Sequence, residues 1–191
     1  IPADRPTLVH VGRIAHEKNI DFLLRMFVRV VQRKPETMLV VAGEGPALDH
    51  CKSYVESLQL SANVRFVGYL SRERELPDCY SAGDLFVFSS KTETQGLVLL
   101  EAMACGTPVV STAYMGTADI VTPERGARVA PDDEEGFATL VVELLNDPAR
   151  RRAMSAEARS YASTWSATAM ATRMAELYSS LVGGRPKQLA A

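Results

Sequence analysis

The sequence is poor in cysteine, lacks long apolar runs and has no marked excess of either charge. Its three cysteines, Cys51, Cys79 and Cys105, are odd in number and without C-x-x-C spacing, which argues against a disulfide framework or a zinc site. No apolar run reaches the roughly 20 residues of a membrane-spanning helix. The formal net charge of −2 gives no overall attraction to nucleic acid. These features are typical of a cytoplasmic globular protein with reduced thiols.

Patterns of metal ligands are also missing. The three histidines, His10, His16 and His50, do not have the spacing of metal ligands, and there is no D-x-D triplet. The acidic run DDEE at 132–135 precedes a predicted helix, whose N-terminus favours carboxylates. The sequence therefore predicts no metal site, and only His16, which lies in a cationic loop, could touch a ligand.

The length and composition predict one domain with a short tail. A chain of 191 residues that is 47% hydrophobic can bury a full core. The opening IPADRP is more typical of a linker than of a natural start, so a fragment of a longer protein is expected. The end of the chain is polar and rich in helix breakers. We therefore predict a domain at 1–182 and a flexible tail at 183–191.

Apolar periodicity predicts strands that alternate with helices. Runs rich in β-branched and aromatic residues lie at about 7–14, 37–44, 63–70, 84–90, 107–112 and 126–130. Helical patterns lie between them at about 20–33, 46–58, 72–81, 97–104 and 117–121, and after them at 134–146, 148–162 and 166–182. This alternation predicts an α/β fold, a doubly wound, Rossmann-like parallel sheet of about six strands with C-terminal helices.

The first predicted strand ends in a loop, VGRIAHEKN, that carries two cations. Gly12 ends the strand, and Arg13 and Lys18 follow it five residues apart. In open α/β sheets, ligands bind beyond the carboxyl ends of the strands. Arginine grips phosphate oxygens bidentately and lysine adds a movable point charge, so this loop suits a diphosphate. A solvated turn that Asn19 caps is the alternative.

A second glycine-containing loop, GEGP, follows the second predicted strand at residues 43–46. It resembles part of a phosphate-binding loop, but Leu48 stands where a G-x-G-x-x-G pattern needs its last glycine. A tight turn from strand to helix explains both glycines as well. A structural role is favoured over contact with a ligand.

The loop after the fourth strand, KTETQG, leads into a helix that contains an acid. The helix is predicted to begin near Gly96, where free N–H groups and the positive end of the dipole suit a phosphate. Glu93 lies just before it, whereas Glu101 lies inside the run LVLLEAMA. A buried carboxylate needs donors, and sugar hydroxyls are donors. Alternatively, Glu101 pairs with a core arginine and Glu93 merely caps the helix.

These three loops, in this order on successive strand ends, resemble the nucleotide-sugar domain of retaining GT-B glycosyltransferases. The resemblance is to the C-terminal, donor-binding domain of family 4-like enzymes, the "glycosyl transferases group 1" type. It extends from Thr7 to about Leu181, and its most specific element is the seven-residue interval between Glu93 and Glu101. The N-terminal acceptor domain of such an enzyme would be absent from this chain.

The resemblance implies a role for each candidate residue. Arg13 and Lys18 would hold the donor's diphosphate and Glu93 would contact sugar hydroxyls; these three are the candidate catalytic residues. Glu101 would bind the ribose hydroxyls, and the VGYL loop would contact the nucleobase largely through its backbone. The implied donor-binding residues are Gly12, Tyr69, Leu70, Gly96, Leu97 and Glu101.

The function that the resemblance implies is transfer of a hexose from a nucleotide-diphosphate sugar to an acceptor hydroxyl with retention, in glycolipid or polysaccharide synthesis. No metal or resident cofactor is expected. Gln95 stands where many members have an aromatic residue, and this TQG form resembles some glycolipid glucosyltransferases, which favours a donor like UDP-glucose. The isolated domain is expected to be inactive. Two alternatives stay open, half of a sugar-nucleotide epimerase and a non-catalytic nucleotide-binding module.

The implied partners are the nucleotide-diphosphate sugar and the N-terminal acceptor domain of the same enzyme, with no nucleic acid. The expected location is the cytoplasm. Peripheral association with the inner face of the membrane, through the missing domain, is an open alternative.

Overall fold

Six parallel strands form one sheet in the computed structural model, which describes residues 5–121 and 125–183. The strands are β1 (Thr7–Val11), β2 (Met38–Ala42), β3 (Val64–Gly68), β4 (Leu85–Phe88), β5 (Val109–Ser111) and β6 (Ala127–Val129). Their order in the sheet is β3-β2-β1-β4-β5-β6. Each strand lies inside a segment that the sequence predicted, and the doubly wound fold class is confirmed.

Eight helices connect or follow these strands within the described residues. They are α1 (Ile20–Arg33), α2 (Leu48–Ser57), α3 (Glu75–Ser81), α4 (Leu97–Ala104), α5 (Gly116–Ile120), α6 (Glu134–Asn146), α7 (Pro148–Ser163) and α8 (Ala167–Gly183). The Asp133 side chain accepts from the backbone N–H of Gly136 and caps α6, and Pro148 occupies the first turn of α7. None of the described helices is long and apolar enough to cross a membrane. The helix α8 ends at Gly183, and the rest of the predicted tail lies outside the described residues.

Helices cover both faces of the sheet, as the almost wholly apolar strands require. On one face, α1, α2 and α6 pack on the sheet around fully buried side chains such as Phe27 and Phe137. On the other face, α3, α4 and α7 pack around Tyr80, Phe86 and Met103. Two hydrophobic layers therefore hold the carboxyl ends of the strands in fixed positions.

The strand order reverses between β1 and β4. The register pairs Leu8 with Leu85 and Val9 with Phe86. The chain leaves β1 for α1 on one face and leaves β4 for α4 on the other, so the two loops diverge above the strands. Such a switch point leaves a crevice where ligands bind in open α/β sheets.

Candidate functional site

The crevice above β1 and β4 brings together the two parts of the predicted diphosphate site. Its volume is about 370 Å³. Gly12, Arg13 and Lys18 line it from the loop after β1, and Glu93 lines it from the loop after β4. The three predicted catalytic residues therefore lie on one crevice, although up to 80 positions separate them in the sequence.

Lys18 and Glu93 form an ion pair across the crevice. The Lys18 Nζ donates to Glu93 Oε2 at 3.0 Å, and the two side chains are only 20% and 21% exposed. Glu93 also accepts from the backbone N–H groups of Gly96 at 3.2 Å and Gln95 at 3.4 Å. Burial opposes ionisation of Glu93, but Lys18 and the two N–H groups outweigh it and hold its pKa below the usual range. Glu93 is thus a fixed, charged acceptor just before the N-terminus of α4.

Arg13 is held much more loosely than Lys18. Its side chain is 64% exposed, and its guanidinium lies 3.8 Å from the Glu17 carboxylate. An exposed ion pair of this kind contributes little to stability, typically about 0.2 to 1 kcal/mol. The Arg13 guanidinium can therefore turn toward an anion in the crevice at small cost.

Asn19 ties the two loops together instead of capping α1. It precedes the helix with a φ of 57°, and its side chain makes no cap hydrogen bond. Its Nδ2 instead donates to the Ser89 carbonyl oxygen at 3.2 Å, and the Ser89 hydroxyl donates to the Asn19 carbonyl oxygen at 3.0 Å. The predicted cap is therefore wrong, and the reciprocal bonds fix Lys18 beside Glu93.

The N-terminus of α4 forms another wall of this region. Gly96 precedes the helix with a φ of 66°, and a Cβ on it would lie 2.8 Å from the Ile120 Cδ1 atom. Leu97, the first helical residue, has a side chain that is 55% exposed. Backbone N–H groups of a first turn have no partner within the helix, and the helix dipole adds positive potential there. The N–H of Gly96 already donates to Glu93, so binding of an anion by Gly96 and Leu97 stays a prediction.

The glycines of GEGP pack against the first loop. A Cβ on Gly43 would lie 1.9 Å from the Gly12 carbonyl oxygen, and a Cβ on Gly45 would lie 2.2 Å from the Ile14 carbonyl oxygen. The Ile14 N–H also donates to the Glu44 carbonyl oxygen at 2.9 Å. Because only glycine permits such close approach, the structural role that the sequence favoured is confirmed.

Glu101 lies at the edge of the site rather than in the core. Its side chain is 32% exposed, so the predicted deep burial is wrong. The Tyr80 hydroxyl donates to Glu101 Oε2 at 2.8 Å, and Arg72 lies 3.6 Å from its other oxygen. Burial and then Glu101 raise the pKa of Tyr80 well above its usual range, which keeps the hydroxyl protonated. The carboxylate is thus held in place with room for further donors.

A second crevice, of about 270 Å³, adjoins the first and shares Gly12 and Arg13 with it. Tyr69 and Leu70, the predicted nucleobase residues, line it together with Leu76. The Tyr69 side chain is 72% exposed, which is consistent with a contact through the backbone. A largely apolar crevice beside a cationic one suits a nucleoside attached to a diphosphate.

Arg72 and His10 are among the residues of these crevices that were not predicted. Arg72 lines the second crevice and contacts Glu101. Like Arg13, it is a cation in a loop that follows a strand, so the sequence pattern that identified Arg13 also applied to Arg72. His10 lines the first crevice from within β1. His16, the one histidine that the sequence placed where it could touch a ligand, packs its ring 5.2 Å from that of His50. His10 was not predicted because it lies inside an apolar strand and not in a loop.

Metal-binding clusters are absent from residues 5–121 and 125–183. No group of three or more histidine, cysteine, aspartate or glutamate side chains there could hold an ion. The cations that line the described crevice are Arg13 and Lys18, and the N-terminus of α4 adds the positive end of its dipole.

Cations, a fixed carboxylate and a helix N-terminus thus meet at the switch point of a doubly wound sheet, where ligands bind in such folds. The family described as "Glycosyl transferases group 1" matches residues 1–161. The chain belongs to this family.

Individual relatives agree with that assignment. The chain is 40% identical over 191 residues to D-inositol 3-phosphate glycosyltransferase 2 of Catenulispora acidiphila, covering 94% of this chain and 44% of the relative. It is 33% identical to the GDP-mannose-dependent alpha-(1-6)-phosphatidylinositol monomannoside mannosyltransferase of Mycolicibacterium smegmatis, with 92% and 48% covered. Among solved structures, sucrose-phosphate synthase from Thermosynechococcus elongatus superposes with a TM-score of 0.84 at 31% identity, with 97% and 47% covered. The chain thus spans about half the length of these relatives.

Proposed function

We propose that the chain is the donor-binding, C-terminal half of a retaining, family 4-like glycosyltransferase that needs no metal. The observation that carries the proposal is the Lys18–Glu93 ion pair at the N-terminus of α4, with Arg13 at the mouth of the same crevice. A diphosphate needs cations and amide donors, and a sugar needs a fixed acceptor for its hydroxyls. The crevice supplies all three within one site.

The proposed reaction transfers a hexose from a nucleotide-diphosphate sugar to an acceptor hydroxyl. Negative charge builds on the leaving diphosphate as the anomeric bond breaks, and preorganised cations and helix N–H groups stabilise that charge. Arg13, Lys18 and the first turn of α4 serve this role. Glu93 orients the sugar through its hydroxyls, and Glu101, held by Tyr80, binds the ribose.

The donor that we propose is like UDP-glucose. The TQG sequence before α4 favours glucose, and the apolar crevice at Tyr69 and Leu70 receives the base. The mannosyltransferase relative is named as GDP-mannose-dependent, so guanine is the main competitor for that crevice. The name of that relative also contains phosphatidylinositol monomannoside, a glycolipid, which supports a glycolipid product and a location at the inner face of the membrane, reached through an acceptor domain.

A thermal-shift screen of the 191-residue chain against UDP, GDP, ADP and their sugar conjugates tests the donor. A ligand at 100 times its Kd stabilises the folded state by about 2.7 kcal/mol, which is readily measured. UDP and UDP-glucose are expected to give the largest shifts. A larger shift with GDP-mannose would assign GDP-mannose as the donor in place of UDP-glucose. The absence of a shift with any nucleotide would overturn the proposal.

The same chain is expected to bind the donor without transferring the sugar. Positioning of two reactants contributes about 7 to 11 kcal/mol in favourable cases, and the acceptor domain must supply it. A transfer assay with labelled UDP-glucose tests this expectation. Efficient turnover by the chain alone would contradict it, whereas an epimerised sugar nucleotide as product would indicate the epimerase alternative.

Metal independence is a separate prediction. We expect EDTA to change the Kd of UDP by less than about twofold, since Arg13, Lys18 and the α4 N–H groups supply the positive field. Calorimetric titrations with EDTA and with added magnesium check it. Strong dependence on magnesium or manganese would require a metal in place of the proposed cations.

A further inference from the structure

His10 is a buried histidine with a defined tautomer. Its side chain lies within β1, only 1% of the residue is exposed, and its ring stacks 5.6 Å from that of Phe88. The Nδ1 atom lies 3.1 Å from the Val87 carbonyl oxygen. Because a carbonyl only accepts hydrogen bonds, Nδ1 carries the proton, and Nε2 of the neutral ring is an acceptor.

The Nε2 atom is buried and has no hydrogen-bond partner among residues 5–121 and 125–183. It is also the atom nearest to the position that a Cβ on Gly12 would occupy, at 3.8 Å. His10 and Gly12 both line the crevice that contains Lys18 and Glu93. A buried polar atom without a partner is costly, so Nε2 lies on the Gly12 side of the proposed diphosphate site with an unmet hydrogen-bonding need.

Charged groups from two loops line the crevice that His10 also lines. Arg13, Glu17 and Lys18 line the crevice from the loop after β1, and Glu93 lines it from the loop after β4. The neighbouring side chains of β4 and α4 on this crevice, Phe88 and Val98, are apolar. Burial and, to a smaller extent, Lys18 lower the pKa of His10 to about 4, so the ring is neutral near pH 7 in the ligand-free protein.

A bound diphosphate favours the protonated form of the His10 ring. Phosphoryl oxygens at neutral pH accept hydrogen bonds, and so does a neutral Nε2, so the two repel unless a proton lies between them. The negative charge of the diphosphate also favours an imidazolium ring beside it, and it draws Lys18 and Arg13 toward the phosphates.

We propose that His10 is a third, proton-dependent cation of the diphosphate site. When a nucleoside diphosphate binds, Nε2 takes up one proton from solvent and donates it in a hydrogen bond to a phosphoryl oxygen, while Nδ1 keeps its bond to Val87. The proton returns to solvent when the diphosphate leaves. This inference rests on the proposed function, since it needs a diphosphate in the crevice.

Proton uptake is measured by titrating the chain with UDP at pH 6.5 in buffers of different ionisation enthalpy. The variant His10→Asn keeps a donor for the Val87 carbonyl oxygen and removes Nε2. Wild type is expected to take up more protons than the variant, by up to about one, and its advantage in Kd is expected to grow by up to about tenfold per pH unit as the pH falls. The protons that UDP itself binds or releases cancel in this difference.

An NMR measurement tests the same point without changing His10. The chain has three histidines, so a His16→Gln, His50→Gln double variant contains His10 as its single imidazole. Both replaced side chains are exposed. Imidazole nitrogen shifts at pH 7 are expected to show Nε2 unprotonated without ligand and protonated with saturating UDP.

The outcomes separate this inference from the proposed function. If UDP binds and Nε2 stays unprotonated, the inference is overturned while donor binding stands, and His10 is then a neutral acceptor for a ligand hydroxyl. Proton uptake that is equal in wild type and His10→Asn overturns it as well. If UDP, GDP and ADP all fail to bind, the proposed function is overturned and this inference with it.

Discussion

The loops that follow β1 and β2 lie side by side at one edge of the sheet, and both contain glycine, yet they contribute differently. The loop at 12–19 directs Arg13 and Lys18 into the diphosphate crevice. The loop at 43–46 directs its glycines against the backbone of the first loop. The first loop therefore lines the proposed diphosphate crevice, whereas the glycines of the second loop support the first, and Gly43 and Glu44 also line the adjoining crevice. A glycine at a strand end is thus not by itself evidence of a phosphate site.

The strands beneath the two loops differ in the same way. The β1–β2 register pairs His10 with Val41, so a titratable ring and an aliphatic side chain occupy equivalent positions. Both residues are buried. The strand beneath the first loop therefore carries a polar side chain at the level where the strand beneath the second loop carries an aliphatic one.

Gly45→Ala should strongly reduce the stability of the folded chain. The new Cβ would meet the Ile14 carbonyl oxygen, a backbone atom that cannot turn aside, so we expect a loss of about 3 kcal/mol or more in the free energy of unfolding. The matched control is Gly68→Ala, whose Cβ would have its nearest neighbour at 3.8 Å and whose φ of 71° costs about 1 to 2 kcal/mol. Urea denaturation of both variants checks this, and equal losses would refute the supporting role.

Acid should destabilise the chain through His10. Its folded pKa of about 4 lies below the ordinary 6.5, so the unfolded chain binds the extra proton between these values. The stabilisation is complete above about pH 6.5 and is lost as the pH falls toward 4, by about 3 kcal/mol.

The control for acid sensitivity is His10→Asn, measured by urea denaturation across the same pH range. Carboxylates such as Glu93 also lose stabilisation in acid, and they do so in both proteins. The difference between wild type and variant therefore isolates His10. Parallel stability curves from pH 7 to 4 would show that His10 is not buried as a neutral ring.

Glu93→Gln and Glu101→Gln should have smaller and separable effects on binding. Glu93 is proposed to contact the sugar, so Glu93→Gln is expected to weaken UDP-glucose about tenfold and to spare UDP. Glu101→Gln is expected to weaken both ligands and to reduce the preference for ribose over 2′-deoxyribose, because a neutral acceptor is weaker by about 1 kcal/mol. Calorimetry with UDP, UDP-glucose and 2′-deoxy-UDP checks both predictions. If the two variants changed the affinity for all three ligands equally, the separate roles of Glu93 and Glu101 would be contradicted.

The parts of the fold that the sequence predicted are those that local patterns determine. All six strands were located because each is a short apolar run between turn residues. The two cations of the first loop were found because they directly follow a strand end, which places Arg13 and Lys18 without knowledge of the rest of the chain.

The errors concern contacts between distant residues. Glu101 was predicted to be buried because its sequence neighbours are apolar, yet Leu99, Ala102 and Met103 occupy the core face of α4 and Glu101 does not. Asn19 fits a capping pattern, but its bonds to Ser89 span 70 positions. His10 was passed over for the same reason, since Val87 is 77 positions away. A pattern of neighbouring residues cannot reveal a contact between residues that are so far apart in the sequence.

The account depends most on Arg13 and Lys18 acting on the diphosphate. The direct test is calorimetric titration of wild type, Arg13→Ala and Lys18→Ala with uridine and with UDP, with the exposed cations Arg74 and Lys52 replaced by alanine as controls. Each charge-assisted hydrogen bond contributes about 1.5 to 3 kcal/mol, so each site variant should lose about tenfold or more in UDP affinity and less than about twofold in uridine affinity. The controls should lose neither. Equal losses for uridine and UDP would contradict the assignment of these cations to the phosphates.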